Sequence, residues 1–282
     1  MSPAALQPPE LRREGFGWRV WSGPALCMPH AHQHDEIEIN LVRSGVLEYL
    51  WGGEVHRLEA GQVGLFWGAR PHRLLSASPG SELSWLTLPT TRFQRFVLPA
   101  ALREAVWSGK LLVAGEQAMT AALFDQWQHD PADEEHQVTA ELEVQAWLRR
   151  FALRAEVPAA ARPADRSGGA AWDHALSLAR RLQQDFAQPL RVQTLAAELG
   201  LHPNYVSGVF RQVFGVSLRE YLTRCRLAQA QHLLIASELS VLDVALESGF
   251  GSSSRFFAAF SERHGCSPRA YRTAHRSAMG EG

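Results

Sequence analysis

Between Pro29 and Asn40 the chain reads PHAHQHDEIEIN, with three histidines and three acids inside nine residues. Along an extended strand, side chains two and four positions apart point the same way, so His32, His34 and Glu38 share one face. Imidazole and carboxylate together are donors for a divalent metal ion, so this face could hold a metal. A polar organic ligand is the better use for the same groups. His, Glu and Asn40 can fix hydroxyls, while a nearby aromatic face can stack on sugar C–H surfaces.

The elements that must position these residues read as strands. From about Trp18 to Leu88, short apolar runs alternate with Gly and Pro. IEIN alternates strictly, and VLEYLWGGEVHRL is two runs joined by Gly52-Gly53, a two-residue hairpin signal. An antiparallel barrel or sandwich is expected here. Trp51, Trp67 and Trp85 fall in or beside these strands. From about Thr91 to Leu153 the reading turns helical, with Ala140, Val144, Trp147, Leu148 and Phe151 on one stripe that is a core face or a dimer face. Ala155–Ala171 is rich in Pro, Ala and Gly and reads as a linker.

Composition narrows the class. The 282 residues suffice for two ordinary domains, and no apolar run approaches the roughly 20 residues of a membrane helix. The N-terminal stretch lacks the pattern of a signal peptide, so a cytoplasmic protein without membrane contact is expected. Cys27, Cys225 and Cys266 are odd in number and far apart, which points to neither a disulfide framework nor a thiolate zinc site. Net charge is −1 overall, but Ala170–Gly282 holds 12 Arg and 9 acids (+3), against 16 basic and 20 acidic residues before it (−4). A mildly basic C-terminal part suits phosphate.

That C-terminal part repeats itself. Glu198-x-Gly200 returns as Glu247-x-Gly249 at an offset of 49, while Phe210, Gly215 and Tyr221 return as Phe260, Gly265 and Tyr271 at an offset of 50. The second copy therefore carries one extra residue in its turn. Each copy reads as a short helix, a glycine turn and a second helix, the order of a helix-turn-helix. In the first copy Val206, Val209, Phe210 and Val213 face inward onto Leu195, Ala196 and Leu199. Asn204, Ser207, Gly208 and Arg211 face outward. In the second, Phe256, Ala259 and Phe260 face inward, and Ser254, Arg255, Phe257, Ala258 and Ser261 are left for the outer side. Small outward residues let a helix sit deep in a major groove. A connecting helix from about Leu218 to Ala236 would hold both copies against successive grooves. Arg211, Arg224, Arg226, Arg255 and Arg272 are candidate phosphate contacts.

Val241–Arg272, VLDVALESGFGSSSRFFAAFSERHGCSPRAYR, resembles the signature of the AraC/XylS family of bacterial transcription regulators. The resemblance implies a DNA-binding domain with two helix-turn-helix motifs that acts on promoter DNA together with RNA polymerase. The N-terminal spacing His32-x-His34-x3-Glu38-x6-Gly45, followed by Gly61 and Pro71-His72, is similar to the cupin pattern. That likeness implies convergence of His72 on the first three ligands inside a small barrel, although Trp67 stands where the pattern has proline. Further stretches, HQHDEIEINLVRSGVLEYL and LFWGARPHRL among them, resemble a sugar-responsive branch of the same family and imply an α-galactoside or related sugar as effector.

These readings combine into an α+β protein. A cupin-like effector-binding barrel spans residues 1–110, with a helical extension over 111–154 that could dimerise the chain. A linker follows at 155–171, and an all-α DNA-binding domain with two helix-turn-helix motifs joined by a linker helix at 172–282. His32, His34, Glu38, Asn40, Trp67 and His72 are expected to line the effector pocket. The expected protein is a homodimeric activator with no catalytic residues and no cofactor. The alternative is a cupin-type metalloenzyme or metal-sensing regulator that uses His32, His34, Glu38 and His72 as ligands.

Overall fold

The computed structural model describes residues 17–115, 120–158 and 169–280, with side chains to residue 275 in the last helix. Eight antiparallel strands make two sheets. The larger carries, in spatial order, β1 (Arg19–Pro24), β7 (Glu82–Leu88), β2 (Ile37–Ser44), β5 (Gln62–Trp67) and β8 (Leu112–Gly115). The smaller carries β4 (Glu54–Glu59), β3 (Val46–Trp51) and β6 (His72–Ala77). Gly52 and Gly53 turn β3 into β4 with φ of 63° and 76°, a conformation that favours glycine at both positions.

The two sheets face each other as a flattened barrel. Val42, Phe66 and Leu83 from one sheet share a buried cluster with Leu47, Tyr49, Trp51, Leu58 and Leu74 from the other. The opposite face of the larger sheet is buried as well. Ile37, Ile39, Leu41, Val63, Leu65 and Trp67 pack under α1 (Thr90–Arg95), α2 (Ala100–Trp107), α3 (Thr120–His129) and α4 (Glu134–Ala152). The expected stripe Ala140, Val144, Trp147, Leu148 and Phe151 is this core face of α4. Asp133 caps that helix by accepting the His136 N–H at 2.9 Å. The helical reading of this region misses β8. Its apolar run LVAG has no helical period and extends the larger sheet beside β5. The expected linker lies largely in 159–168, outside the described residues.

The C-terminal part starts with α5 (Gly169–Gln184) and then shows the repeat. The first copy is α6 (Val192–Glu198) and α7 (Pro203–Phe214), and the second is α9 (Val241–Glu247) and α10 (Ser253–His264). Paired helices have equal lengths, 7 and 12 residues, so the extra residue sits in the turn, as the offsets require. Both long helices end on a left-handed glycine, Gly215 and Gly265. Each copy is followed by a helix that carries the repeated tyrosine, α8 (Leu218–Ala236) and α11 (Pro268–Gly280). The Phe210–Tyr221 and Phe260–Tyr271 ring pairs have the same edge-to-face geometry, with centroids 5.3 Å apart in each. α8 is the predicted connector, and its buried residues join both copies' cores.

Candidate effector pocket and nucleic-acid interface

Strand alternation decides which side chains reach the barrel interior. On β2, Glu38, Asn40 and Val42 face inward, opposite the β5 pairing partners Phe66 and Gly64. β6 begins with His72. Before β2, Ala31–Glu36 runs as an extended strap against the loop that precedes β6. His32 and His72 exchange both backbone hydrogen bonds at 2.9 Å, and the His34 N–H donates to the Gly68 carbonyl. Three rings are thereby brought together. The His32 and His72 centroids lie 4.2 Å apart, and His34 lies 5.3 Å from His72.

The carboxylate of Glu38 stands between two of them, with Oε2 3.2 Å from His72 Nε2 and 3.5 Å from His34 Nε2. Burial works against a charged His34 ring, but its hydrogen bonds to Glu36 and Glu38 outweigh that penalty and raise its pKa to about 9. Burial likewise opposes ionised Glu38, yet the two histidines hold its carboxyl well below the usual range. His32 goes the other way. Burial first, and the adjacent His72 and His34 rings next, push it well below an ordinary histidine. One nitrogen from each of His32, His34 and His72 falls within 4.8 Å of the others. With Glu38 these residues form an N3O donor set that fits a borderline divalent ion.

Five of the six expected pocket residues therefore lie at the strap or on the interior face of the barrel: His32, His34, Glu38, Asn40 and His72. Trp67 does not. It has the opposite parity to Phe66, packs edge-to-face on Trp107 at 5.0 Å and donates its indole N–H to the Asp35 carbonyl. The aromatic wall is built instead by Trp51 and Phe66, whose rings lie 5.7 and 4.9 Å from His72. Trp85, paired with Asn40 across the sheet, and Tyr49 extend it. Asn40 is 1% exposed, and neither polar atom of its amide has a hydrogen-bond partner among the described residues. A buried amide without partners is costly unless something polar meets it.

On the other domain, Asn204, Ser207, Gly208 and Arg211 of α7 are all exposed, as are Ser254, Arg255, Phe257 and Ala258 of α10. A side chain added at Gly208 would meet only open space. His202 accepts the Asn204 N–H, and Ser252 accepts the Arg255 N–H, so both long helices start with a capped first turn. Tyr205, 43% exposed beside Asn204, escaped sequence reasoning because nothing in the repeat marks it. The candidate phosphate arginines divide into two groups. Arg226 donates to the Phe186 and Gln188 carbonyls and ties α8 to the loop after α5, and Arg272 donates to the Leu234 carbonyl and ties α11 to α8. Arg224 pairs with Glu220 at 2.6 Å. Arg211 and Arg255 have no ion pair among the described residues and stay on the outer face.

A two-sheet ligand-binding barrel ahead of paired helix-turn-helix motifs defines a class. Residues 27–152 match the AraC-like ligand binding domain, and residues 195–274 match a helix-turn-helix domain. The chain belongs to the AraC family and is a ligand-responsive, DNA-binding transcription regulator. It is similar to the melibiose operon regulatory protein of Escherichia coli K12, with 28% identity over 260 residues, 87% of this chain and 84% of that one. It is 36% identical over 91 residues to the HTH-type transcriptional activator RhaS of Klebsiella pneumoniae, 32% of this chain and 33% of that one. Among solved structures, the DNA-binding domain of AdpA in complex with a target DNA is 30% identical, with 38% of this chain and 97% of that one covered and a TM-score of 0.37. No described helix is long and apolar enough to cross a membrane.

Proposed function

We propose that this regulator activates carbohydrate-utilisation genes in response to a sugar, an α-galactoside or a relative of one, and that it is not an enzyme. The observation that carries the reading is Asn40, a buried amide with unpartnered polar atoms on a wall shared with Trp51, Phe66 and Trp85. A sugar satisfies both features at once, with hydroxyls for the amide and C–H faces for the rings. Likeness to a melibiose operon regulatory protein supports the same ligand class.

In this reading residues 1–110 bind effector, 111–154 form the helical extension and dimer contact, and 172–282 read promoter half-sites in company with RNA polymerase. Asn204, Ser207, Gly208 and Arg211 enter one groove. Ser254, Arg255, Phe257 and Ala258 enter the next. The protein works in the cytoplasm, where its promoter is. Effector must bind the DNA-competent state preferentially to shift anything.

The test is fluorescence anisotropy of the full chain on DNA from upstream of its own coding sequence, with a panel of α- and β-galactosides. An α-galactoside is expected to change affinity, and Asn40→Ala to abolish that response while leaving sugar-free DNA binding intact. If no sugar shifts the curve, or if Asn40→Ala responds like the natural chain, the sugar reading is overturned. Turnover of a substrate by metal-loaded protein without sequence-specific DNA retention would favour the cupin-type metalloenzyme instead.

A further inference from the structure

The outer faces of the two long helices use different chemistry at equivalent positions. α7 and α10 have equal lengths at an offset of 50, so Ser207 and Gly208 answer to Phe257 and Ala258. Ser207 gives its hydroxyl hydrogen to the Pro203 carbonyl at 2.9 Å, and Gly208 has no side chain to offer. In the second copy the same two places carry a benzyl ring and a methyl group, both exposed. Ser254 and Ser261, exposed on either side of them along the helix, add no formal charge.

The core of the second copy is complete without Phe257. Phe256 and Phe260 are fully buried and share a cluster with Phe250 and Tyr271, whereas Phe257 is 39% exposed and stands outside it. Its ring is nonetheless held in place. It leans on the Phe256 ring with centroids 5.5 Å apart, and Phe256 is itself packed against Phe250 at 5.2 Å and Phe260 at 5.5 Å. The barrel grips α10 elsewhere, at its last turn. There Arg263 donates to the Gln33 carbonyl at 2.8 Å, and His264 Nδ1 lies 2.9 Å from an Asp35 carboxylate oxygen. Phe257, in the second turn, is clear of both contacts. An apolar ring kept in water is stabilised when an apolar partner covers it. On the major-groove edges of the bases the one apolar group is the C5 methyl of thymine, and the other groups there are donors and acceptors. A ring set against a donor or acceptor would remove its water and replace nothing, so the same side chain favours thymine and disfavours the rest.

We propose that Phe257, with Ala258 beside it, reads the C5 methyl of a thymine in the half-site under the second copy. The duplicated motif then reads its two half-sites by different rules. Polar side chains such as Asn204 and Arg211 serve the first, and methyl recognition serves the second. This rests on the reading above that the outer faces of α7 and α10 enter successive grooves.

The experiment uses the full chain on the upstream DNA segment that it protects from nuclease. Single thymines are replaced by deoxyuridine, which lacks only the methyl, and affinity is read by anisotropy. A loss of about fourfold is expected at a thymine in one half-site, the change that burying one methyl group supports. Phe257→Ala should bind the unmodified segment at least about fourfold more weakly and no longer respond to that replacement. Cytosine at the sensitive position should weaken binding by the natural chain, and 5-methylcytosine there should bind about fourfold better than cytosine. Circular dichroism checks folding, and Phe257→Asn takes the place of Phe257→Ala if that variant unfolds. No sensitive thymine, or the same sensitivity in the natural chain and the Phe257 variant, overturns the proposal. Binding by the natural chain that still prefers the upstream segment to a scrambled duplex leaves the groove assignment standing in that case. A chain with no such preference overturns the groove assignment and this proposal with it.

Discussion

The two helix-turn-helix copies share a scaffold and differ in what holds them. Their helices have matched lengths, their aromatic pairs superpose in geometry, and their long helices end on equivalent glycines. The barrel grips them differently. On the first copy it lays His30 over Gly215 and donates Arg73 to the Val213 carbonyl at 3.0 Å. On the second it places the Asp35 carboxylate against His264 and Gln231. Both contacts fall on the last turn, which leaves the outward residues of the first turns clear. The scaffold is therefore duplicated while the attachment is specialised, with an arginine on a backbone carbonyl at the first copy and a carboxylate on a histidine at the second.

Deleting the duplicated cores gives the largest effect. Phe210 and Phe260 are both fully buried. Phe210→Ala and Phe260→Ala should each cost about 3–5 kcal/mol in urea unfolding. Similar losses would sharpen the equivalence of the copies. A loss confined to one would break it and show that docking, rather than the repeat, carries the other. Next come the turn glycines. Gly200 and Gly249 are both left-handed, but a Cβ at Gly200 meets nothing, whereas at Gly249 it falls 2.6 Å from the backbone of Phe186 and Ala187. Gly200→Ala should cost about 1–2 kcal/mol, and Gly249→Ala a further 1–3 for overpacking. Equal costs would mean that the second turn is free to move away from its neighbour.

A smaller difference is written in pH. Cys225 of α8 and His275 of α11 stand at equivalent positions, four residues after the paired tyrosines. Burial pushes the Cys225 thiol up to about 12, so it stays neutral at any working pH. Burial lowers the His275 pKa below 6.5, while its ring bonds Thr90 Oγ1 at 3.1 Å and the Tyr271 carbonyl at 2.8 Å. A group held neutral in the fold contributes fully above its unfolded pKa, and that contribution is lost as pH falls from 6.5 toward the lowered value. The protection free energy of α11 amides, with the intrinsic pH dependence of exchange divided out, should fall across this window, by at most about 1.4 kcal/mol per pH unit. Burial lowers His232 of α8 as well, so α8 should lose protection in the same window, and His275→Gln should flatten the dependence in α11 alone.

Much of this was legible in the sequence, for reasons that vary by element. The repeat announces itself because Gly215 and Gly265, or Phe210 and Phe260, answer the same backbone and packing demands. The boundaries of α8 follow from the same logic. Glu38 and Asn40 could be phased because IEIN alternates. Trp67 could not, since β5 is buried on both faces and QVGLFW carries no polar side to mark the interior. β8, four residues long, lies below the reach of periodicity. The contacts of Gln33 and Asp35 span some 200 positions or more, and no local pattern encodes them.

The smallest effect expected is the most direct test of the outer faces. Arg211 and Arg255 both lie exposed, but one sits toward the end of α7 and the other in the first turn of α10, where the dipole and unpaired N–H groups also attract phosphate. Arg211→Ala and Arg255→Ala should each weaken DNA binding across all sequences and reduce the slope of log affinity against log salt by about 0.9. Base preference should stay unchanged. Gly208→Ala, which adds a methyl into open space, should instead alter preference with no change in salt slope. If Gly208→Ala changed only the slope, or an arginine variant changed only the preference, the assignment of outward residues to bases and phosphates would be inverted for that copy. Because the copies are tested by separate variants, such an inversion in one would leave the other standing.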